Sequence, residues 1–225
     1  MAATARGAAA GVPAGGRGAR VSAEREHHHT RPAGGPPHLA ETITLHPLTP
    51  DDAAAIVAAE DESTIRFLSG GRSTVDGTRA YIERLDREAA AGKRKRTFGI
   101  WVEGSLVGTI DYDPDVTDGL DPGDVNIAYG VASRMRGRGI AVRAVELVCA
   151  IIRERGVGDR AAIRTADDNP ASQKVASRAG FQHLRTFESA TDVDGLGAPL
   201  MMQAYVRDLR RDLGGRHGRV SQTER

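Results

Sequence analysis

The sequence predicts an α/β fold: one domain with a mixed, mostly antiparallel central sheet flanked by helices. Three observations carry this. "TFGIWVEGSLVGTIDYD", residues 97–113, alternates side-chain character on both sides of Glu103-Gly104, the pattern of two antiparallel strands joined by a tight turn. "GIAVRAVELVCAIIRERG", residues 139–156, confines Arg143, Glu146, Arg153 and Glu154 to one narrow helical stripe, and a helix so apolar elsewhere lies against a sheet. The order of elements is also mixed (strand, helices, three antiparallel strands, helix, strand, helix, two strands), with no internal repeat.

Each element has its own local cause. Thr42 to Leu48 alternates and reads as a strand. In "TPDDAAAIVAAED", Thr49 is the expected N-cap, Pro50 the first helical residue, and the acids that follow suit the helix dipole. "STIRFLSGGRST" is a short helical or loop segment broken at Gly70 and Gly71. The next stretch is helical, with Ala80, Tyr81, Leu85 and Ala89 near one face and Gly92 ending it. Phe98, Ile100 and Val102 alternate, and Leu106 to Tyr112 returns as the partner strand. A polar loop with Asp118, Gly119, Pro122 and Gly123 leads into a fourth strand, "DVNIAYGV", residues 124–131. "RAAIRTAD" is a fifth strand, and "NPASQKVASRAG" a helix with Asn169 as N-cap, Pro170 first and Gly180 as its stop. Phe181–Phe187 and Ala198–Val206 read as the last two strands, joined through a loop containing "DVDG".

Composition separates the ends from the middle. Residues 1–38 are rich in Ala, Gly, Pro and Arg and cannot bury enough apolar surface to offset their ordering entropy, so they read as a disordered tail. From about Asp208 the chain is again poor in apolar residues, leaving 39–207 as the domain and 208–225 as a flexible end. The formal charge of +1 is unevenly placed: five Arg against two Glu in residues 1–38 and six Arg against three acids in 207–225 leave 39–206 at −5. An acidic domain argues against nucleic-acid binding and suits a cationic substrate such as an amine. The single cysteine, Cys149, lies in an apolar run and reads as a small core residue. No window has the length and hydropathy of a membrane span, and a cytoplasmic protein is the expectation. His27, His28 and His29 sit in the tail without ligand spacing, so no metal is expected, and "KRKR", 93–96, reads as a solvated connector.

"SRMRGRGIA", residues 133–141, demands another explanation. A strand, a glycine-rich turn and a helix start make an anion site, because the first amides of a helix lack intrahelical partners and the dipole favours negative charge. Gly137 and Gly139 allow close approach of a phosphate, and Arg134, Arg136 and Arg138 add forked donors. A tight turn with surface arginines has the same composition, and the loop alone leaves both readings open. No G-x-x-x-x-G-K-S/T occurs, and Val142 stands where a dinucleotide fingerprint needs its third glycine, so neither a nucleotide kinase nor a Rossmann protein is expected.

Arg134-Met-Arg-Gly137-Arg-Gly139 resembles the Gln/Arg-x-x-Gly-x-Gly/Ala signature of the GNAT N-acetyltransferase superfamily, in the place that family uses it, after the fourth strand. "NPASQKVASRAGF", residues 169–181, resembles the segment of the branch that acetylates ribosomal-protein N-termini (alanine or serine). The similarity extends over about residues 41–207. It implies a sheet splayed between the fourth and fifth strands and acetyl-coenzyme A as cosubstrate. The diphosphate would lie on amides from Arg136 through Gly137, Arg138, Gly139 and Ile140 to Ala141. The pantetheine arm would run beside Tyr129, Gly130 and Val131 and touch Asn169.

The same resemblance implies the catalytic parts. The Val131 N–H would hold the oxyanion. Ala176 stands where many relatives place a tyrosine acid, so Ser172 is the candidate proton donor to the thiolate. Relatives of this branch often carry a carboxylate where this chain has Asn126, which leaves Asp111 and Glu188 as candidate bases. The acceptor amine, a small molecule or a protein N-terminus, would sit between 63–76 and 188–198. A monomer or homodimer is expected, and a non-catalytic acyl-coenzyme A sensor is the competing reading, favoured by Asn126 and Ala176.

Overall fold

The computed structural model describes residues 42–210. The expectation of a disordered tail over 1–38 and the three tail histidines lie outside those residues. Strand β1 (Ile43–Pro47) is followed by a single turn at Pro50–Asp52, in which Thr49 and Asp52 form a reciprocal capping box, and by α1 (Ala53–Ala58). Helix α2 (Glu62–Thr64) widens at once into a π-turn over Ile65–Ser69 and stops at Gly70, φ 71°. Helix α3 (Val75–Ala90), capped by the Thr74 side chain, leads to β2 (Arg96–Val102) and β3 (Ser105–Asp113). Between these strands Glu103 and Gly104 both have positive φ, 48° and 76°, as a two-residue hairpin turn requires. Strand β4 (Asp124–Val131), α4 (Ile140–Glu154), β5 (Arg160–Ala166), α5 (Pro170–Arg178), β6 (Gln182–Val193) and β7 (Pro199–Asp208) complete the chain.

The strands lie in the order β1-β2-β3-β4-β5-β7-β6, and every pair is antiparallel except β4 with β5. One face is covered by α4, which buries Ile140, Ala144, Val145, Val148, Cys149 and Ile152 against Ile100, Ile110, Val125 and Ile127. Truncating Val148 or Ile152, both wholly buried, would cost about 2–5 kcal/mol each. The opposite face is covered by α1 and α3, through Leu48, Ala53, Ile82 and Leu106, and by the 114–123 loop, whose Leu120 meets Ala162 and Ala204. No helix among the described residues is long and apolar enough to cross a membrane.

Four local expectations are corrected. The inward side of α3 is buried Thr78 and Ile82 with half-buried Leu85 and Ala89, while Ala80 and Tyr81 are exposed, because small alanines blur the apolar edge. Strand β6 continues to Val193 through an irregularity between Glu188 and Val193, so the loop before β7 is shorter than expected. Lys95 of "KRKR" is not a solvated connector residue but pairs with Asp111 at 3.4 Å. The domain runs past 207: β7 ends at Asp208, and Leu209 is buried, its N–H donating to the Asp159 carbonyl at 2.8 Å.

Candidate active site

Strands β4 and β5 pair only from Asp124–Asn126 against Arg160–Ala162 and then separate. The Ala132 N–H donates to Val107 at 2.8 Å, so residues of even number along this end of β4 turn their main-chain groups toward β3. By the alternation of a strand, the groups of Tyr129 and Val131 face the other way, along the edge that β5 has left. That edge and the gap beside it form the wall of a cavity of about 400 Å³.

One end of the cavity is the glycine loop. Gly137 and Gly139 adopt φ 78° and 81°, which a side chain would disfavour, and a Cβ at either would meet nothing within 4 Å. The first helical bond of α4 runs from the Arg143 N–H to the Gly139 carbonyl at 3.1 Å, so the amides of Ile140, Ala141 and Val142 precede the ladder. The Arg136 amide, by contrast, already donates to Ser133 at 3.2 Å. Across the gap, Lys174 and Arg178 of α5 line the cavity four residues apart, on one helical face.

Near the middle, the Asn169 side chain caps α5 by accepting from the Ser172 N–H at 3.1 Å. The Ser172 hydroxyl lies 3.0 Å from the Tyr129 hydroxyl, which also reaches the Ser172 carbonyl at 3.3 Å. Burial pushes the Tyr129 phenol up to about 12, with the bond to Ser172 opposing. Thr165 on β5 lines the same gap, and its buried hydroxyl has no protein partner among the described residues.

The other end is walled by Ser63, Thr64, Arg66, Phe67 and Leu68 from the α2 segment and by Arg164, Asp192, Leu200 and Met202 from the far strands. Arg164 is nine-tenths buried and donates to Asp118 and, at 2.8 Å, to Asp192. Asp118 in turn accepts from Ser189 (2.6 Å), Thr191 (3.2 Å) and the Ala190 N–H (3.2 Å). These donors and Arg164 hold the Asp118 carboxyl below its ordinary value against the cost of burial. Asp192 receives Arg164 on Oδ2, and the Ser189 and Thr191 hydroxyls lie 3.1 and 3.5 Å from the same oxygen.

Ten of the residues expected from sequence line this one cavity: Tyr129, Gly130, Val131, Arg136, Gly137, Gly139, Ile140, Ala141, Asn169 and Ser172. Arg134 and Arg138 are exposed and outside its wall. Both expected bases also lie outside its wall. Asp111 is held by Lys95 on β3, and burial pushes its carboxyl up while Lys95 pulls it down. Glu188 is exposed on β6. Among the described residues, Asp192 is the one carboxylate in the wall.

A glycine turn into helix-start amides that precede the ladder, an open strand edge and a capped helix facing it across a gap suit a long phosphate-bearing chain molecule. Residues 42–182 match the acetyltransferase (GNAT) domain. The chain belongs to the GNAT acetyltransferase family. The matched family is one of acetyltransferases. Similar solved structures include RimL, a ribosomal L7/L12 alpha-N-protein acetyltransferase in complex with coenzyme A, at 18% identity, covering 74% of this chain and 94% of that one, TM-score 0.63. A probable acetyltransferase is 25% identical over 75% and 94%, TM-score 0.62. The microcin C7 self-immunity acetyltransferase MccE, in complex with acetyl-CoA and AMP, is 18% identical over 74% and 92%, TM-score 0.62. No curated protein matches the sequence.

The cavity also contains residues that the sequence reading of this GNAT chain missed. Lys174 and Arg178 were legible as an i, i+4 cationic pair beside Asn169. Arg164 and Asp192 had no such signal, since their partnership joins two strands that are far apart in sequence.

Proposed function

We propose that this acetyltransferase acts on a primary amine, preferentially one of low basicity such as an α-amine, by direct attack on the thioester. The observation that carries the proposal is the single cavity that joins the glycine-loop amides, the open edge of β4 and the Asp192 carboxylate.

The cosubstrate fits the wall as found. Amides of Gly137 to Val142 suit a diphosphate, Lys174 and Arg178 add charge, and the unpaired edge at Tyr129 and Val131 suits the amides of a pantetheine arm. The Thr165 hydroxyl supplies a further donor in the same gap. Bound there, acetyl-CoA supplies an activated acetyl group. The Val131 N–H would receive developing negative charge at the carbonyl oxygen.

Asp192 orients the acceptor. Its Oδ1 is the atom left to accept from an amine, while Arg164 fixes the carboxylate through Oδ2. Among the described residues no histidine lines the cavity to take up a proton, and this favours acceptors that lose theirs to water unaided. At pH 7 neutralising an α-amine of pKa about 8 costs about 1.4 kcal/mol, against about 4.6 kcal/mol for a lysine-like amine. Ser172 and Tyr129 form a hydroxyl pair for the departing sulfur. With the phenol near 12 and an alkyl thiol near 8.5, complete proton transfer is roughly 5 kcal/mol uphill. The pair therefore acts as a hydrogen-bond donor to the sulfur, and water delivers the proton.

The test is thiol release from acetyl-CoA with a panel of N-terminal peptides, lysine side-chain amines and small amines. Release with α-amines, lost in Asp192→Asn at unchanged acetyl-CoA affinity, is the expected result. Equal rates for lysine-type amines, or full activity of the variant, would overturn this assignment of the acceptor site.

A further inference from the structure

Arg136 lies in the glycine loop, where a phosphate ligand is the obvious reading, yet its guanidinium is already engaged. Its Nε donates to the Val131 carbonyl at 2.8 Å. Nη1 and Nη2 grip the two oxygens of Asp61 at 2.8 and 2.9 Å, a fork-to-fork pair, and Nη2 also reaches Thr64 Oγ1 at 3.3 Å. Asp61 is the N-cap of α2, accepting from the Thr64 N–H at 2.8 Å. One side chain thus joins three things: the cofactor loop, the last carbonyl of the open β4 edge, and the start of the segment that walls the acceptor end.

That segment has few other anchors. Arg66 pairs with Asp168 across the mouth, but both side chains are more than half exposed, and such pairs hold weakly. Leu68 lies over Gly130, where a Cβ would come within 2.9 Å of its Cδ2, but 43% of Leu68 remains exposed. The helix is locally π-wound at Ile65–Ser69, a geometry that favours adjustment at functional sites. With so little burial, the segment belongs to the low-stability part of the fold unless Arg136 holds it.

We propose that Arg136 is a positioning residue and not a phosphate ligand: through Asp61 it fastens the acceptor wall, residues 61–69, to the cofactor loop. The consequence is coupling. Whatever orders the loop also orders the wall, and by linkage an acceptor on the wall tightens the loop. This deepens the acceptor-site reading given above, but its test does not depend on turnover.

Hydrogen exchange measured by mass spectrometry on the full chain, with and without acetyl-CoA, reads the coupling directly. Asp61→Asn keeps a capping side chain and removes the charge; Arg136→Met removes the fork. Without ligand, both variants should speed exchange in 62–69 by roughly five- to tenfold and leave α4 unchanged. With acetyl-CoA, wild type should gain protection both in 137–142 and in 62–69, while the variants gain it only in 137–142. The double variant should match either single one, and the amine KM should rise by a similar factor while the acetyl-CoA Kd moves by less than about twofold. Unchanged exchange in 62–69 would overturn the proposal. So would a large loss of acetyl-CoA affinity in Arg136→Met that Asp61→Asn does not share, the mark of a phosphate ligand. Absence of protection in 137–142 of wild type would instead remove the cofactor-loop reading, and the ligand-free comparison would still decide the strut.

Discussion

Gly137 offers the sharpest perturbation of the cofactor end. At φ 78° any L side chain is strained, so Gly137→Ala should cost about 1–2 kcal/mol of stability. For a domain of this size that is a fall of a few degrees in melting temperature. The Cβ itself meets nothing within 4 Å, so alanine adds strain without a clash inside the protein. Gly137→Glu carries the same backbone strain and puts a carboxylate beside the amides of α4. A unit charge about 4 Å from a phosphate, at an effective dielectric of ~20, is opposed by about 4 kcal/mol, close to a thousandfold in affinity. The carboxylate would also compete for the amides it faces. Titration calorimetry with acetyl-CoA, paired with thermal melts, separates the two effects, because alanine controls for strain. The expectation is similar melting temperatures and affinities apart by two to three orders of magnitude. Glutamate binding acetyl-CoA within about threefold of alanine would refute the use of this loop for the diphosphate.

Further perturbations reach the rest of the site. Tyr129→Phe leaves the ring in place and removes the hydroxyl that meets Ser172, so kcat should fall about three- to tenfold with the acetyl-CoA KM little changed; pre-steady-state thiol release checks this. Replacing Lys174 and Arg178 together by Ala should weaken acetyl-CoA binding about tenfold at low salt and flatten its salt dependence, read by fluorescence titration across ionic strength. Arg136 and the cap bonds hold Asp61 down to about 2, a depressed carboxylate, so its stabilising contribution is fully present above pH 4 and lost as pH falls through 2. Wild type should therefore melt above Asp61→Asn at pH 6, with the gap closing between pH 4 and 2 in parallel scans.

Where a feature is set by neighbours in the chain, the sequence reading and the structure agree. Glu103-Gly104 turns the hairpin, Asn169 caps α5 through Ser172, and the narrow polar stripe of α4 puts its remaining sides against the sheet. The shape of the glycine loop was legible for the same reason, since Gly137 and Gly139 carry their backbone geometry locally. Features that depend on partners far away were not. Asp192 acquires its place from Arg164, twenty-eight residues earlier, and from the loop carrying Asp118. Arg136 looked like a phosphate ligand because its carboxylate partner lies seventy-five residues upstream. Asp111 has the chemistry of a base, but only the three-dimensional structure reveals that it pairs with Lys95 outside the cavity wall. Even α3 was misread by a small rotation, because flanking alanines carry little information about which side faces the core.

The account rests on a diphosphate seated on the amides between Gly137 and Val142, with its arm along the edge of β4. A crystal structure of the protein with coenzyme A tests this most directly. The account predicts phosphate oxygens within hydrogen-bond distance of those amides, Arg136 still on Asp61, and the sulfur beside Ser172 and Tyr129. A diphosphate bound elsewhere, or Arg136 turned onto it and away from Asp61, would contradict it.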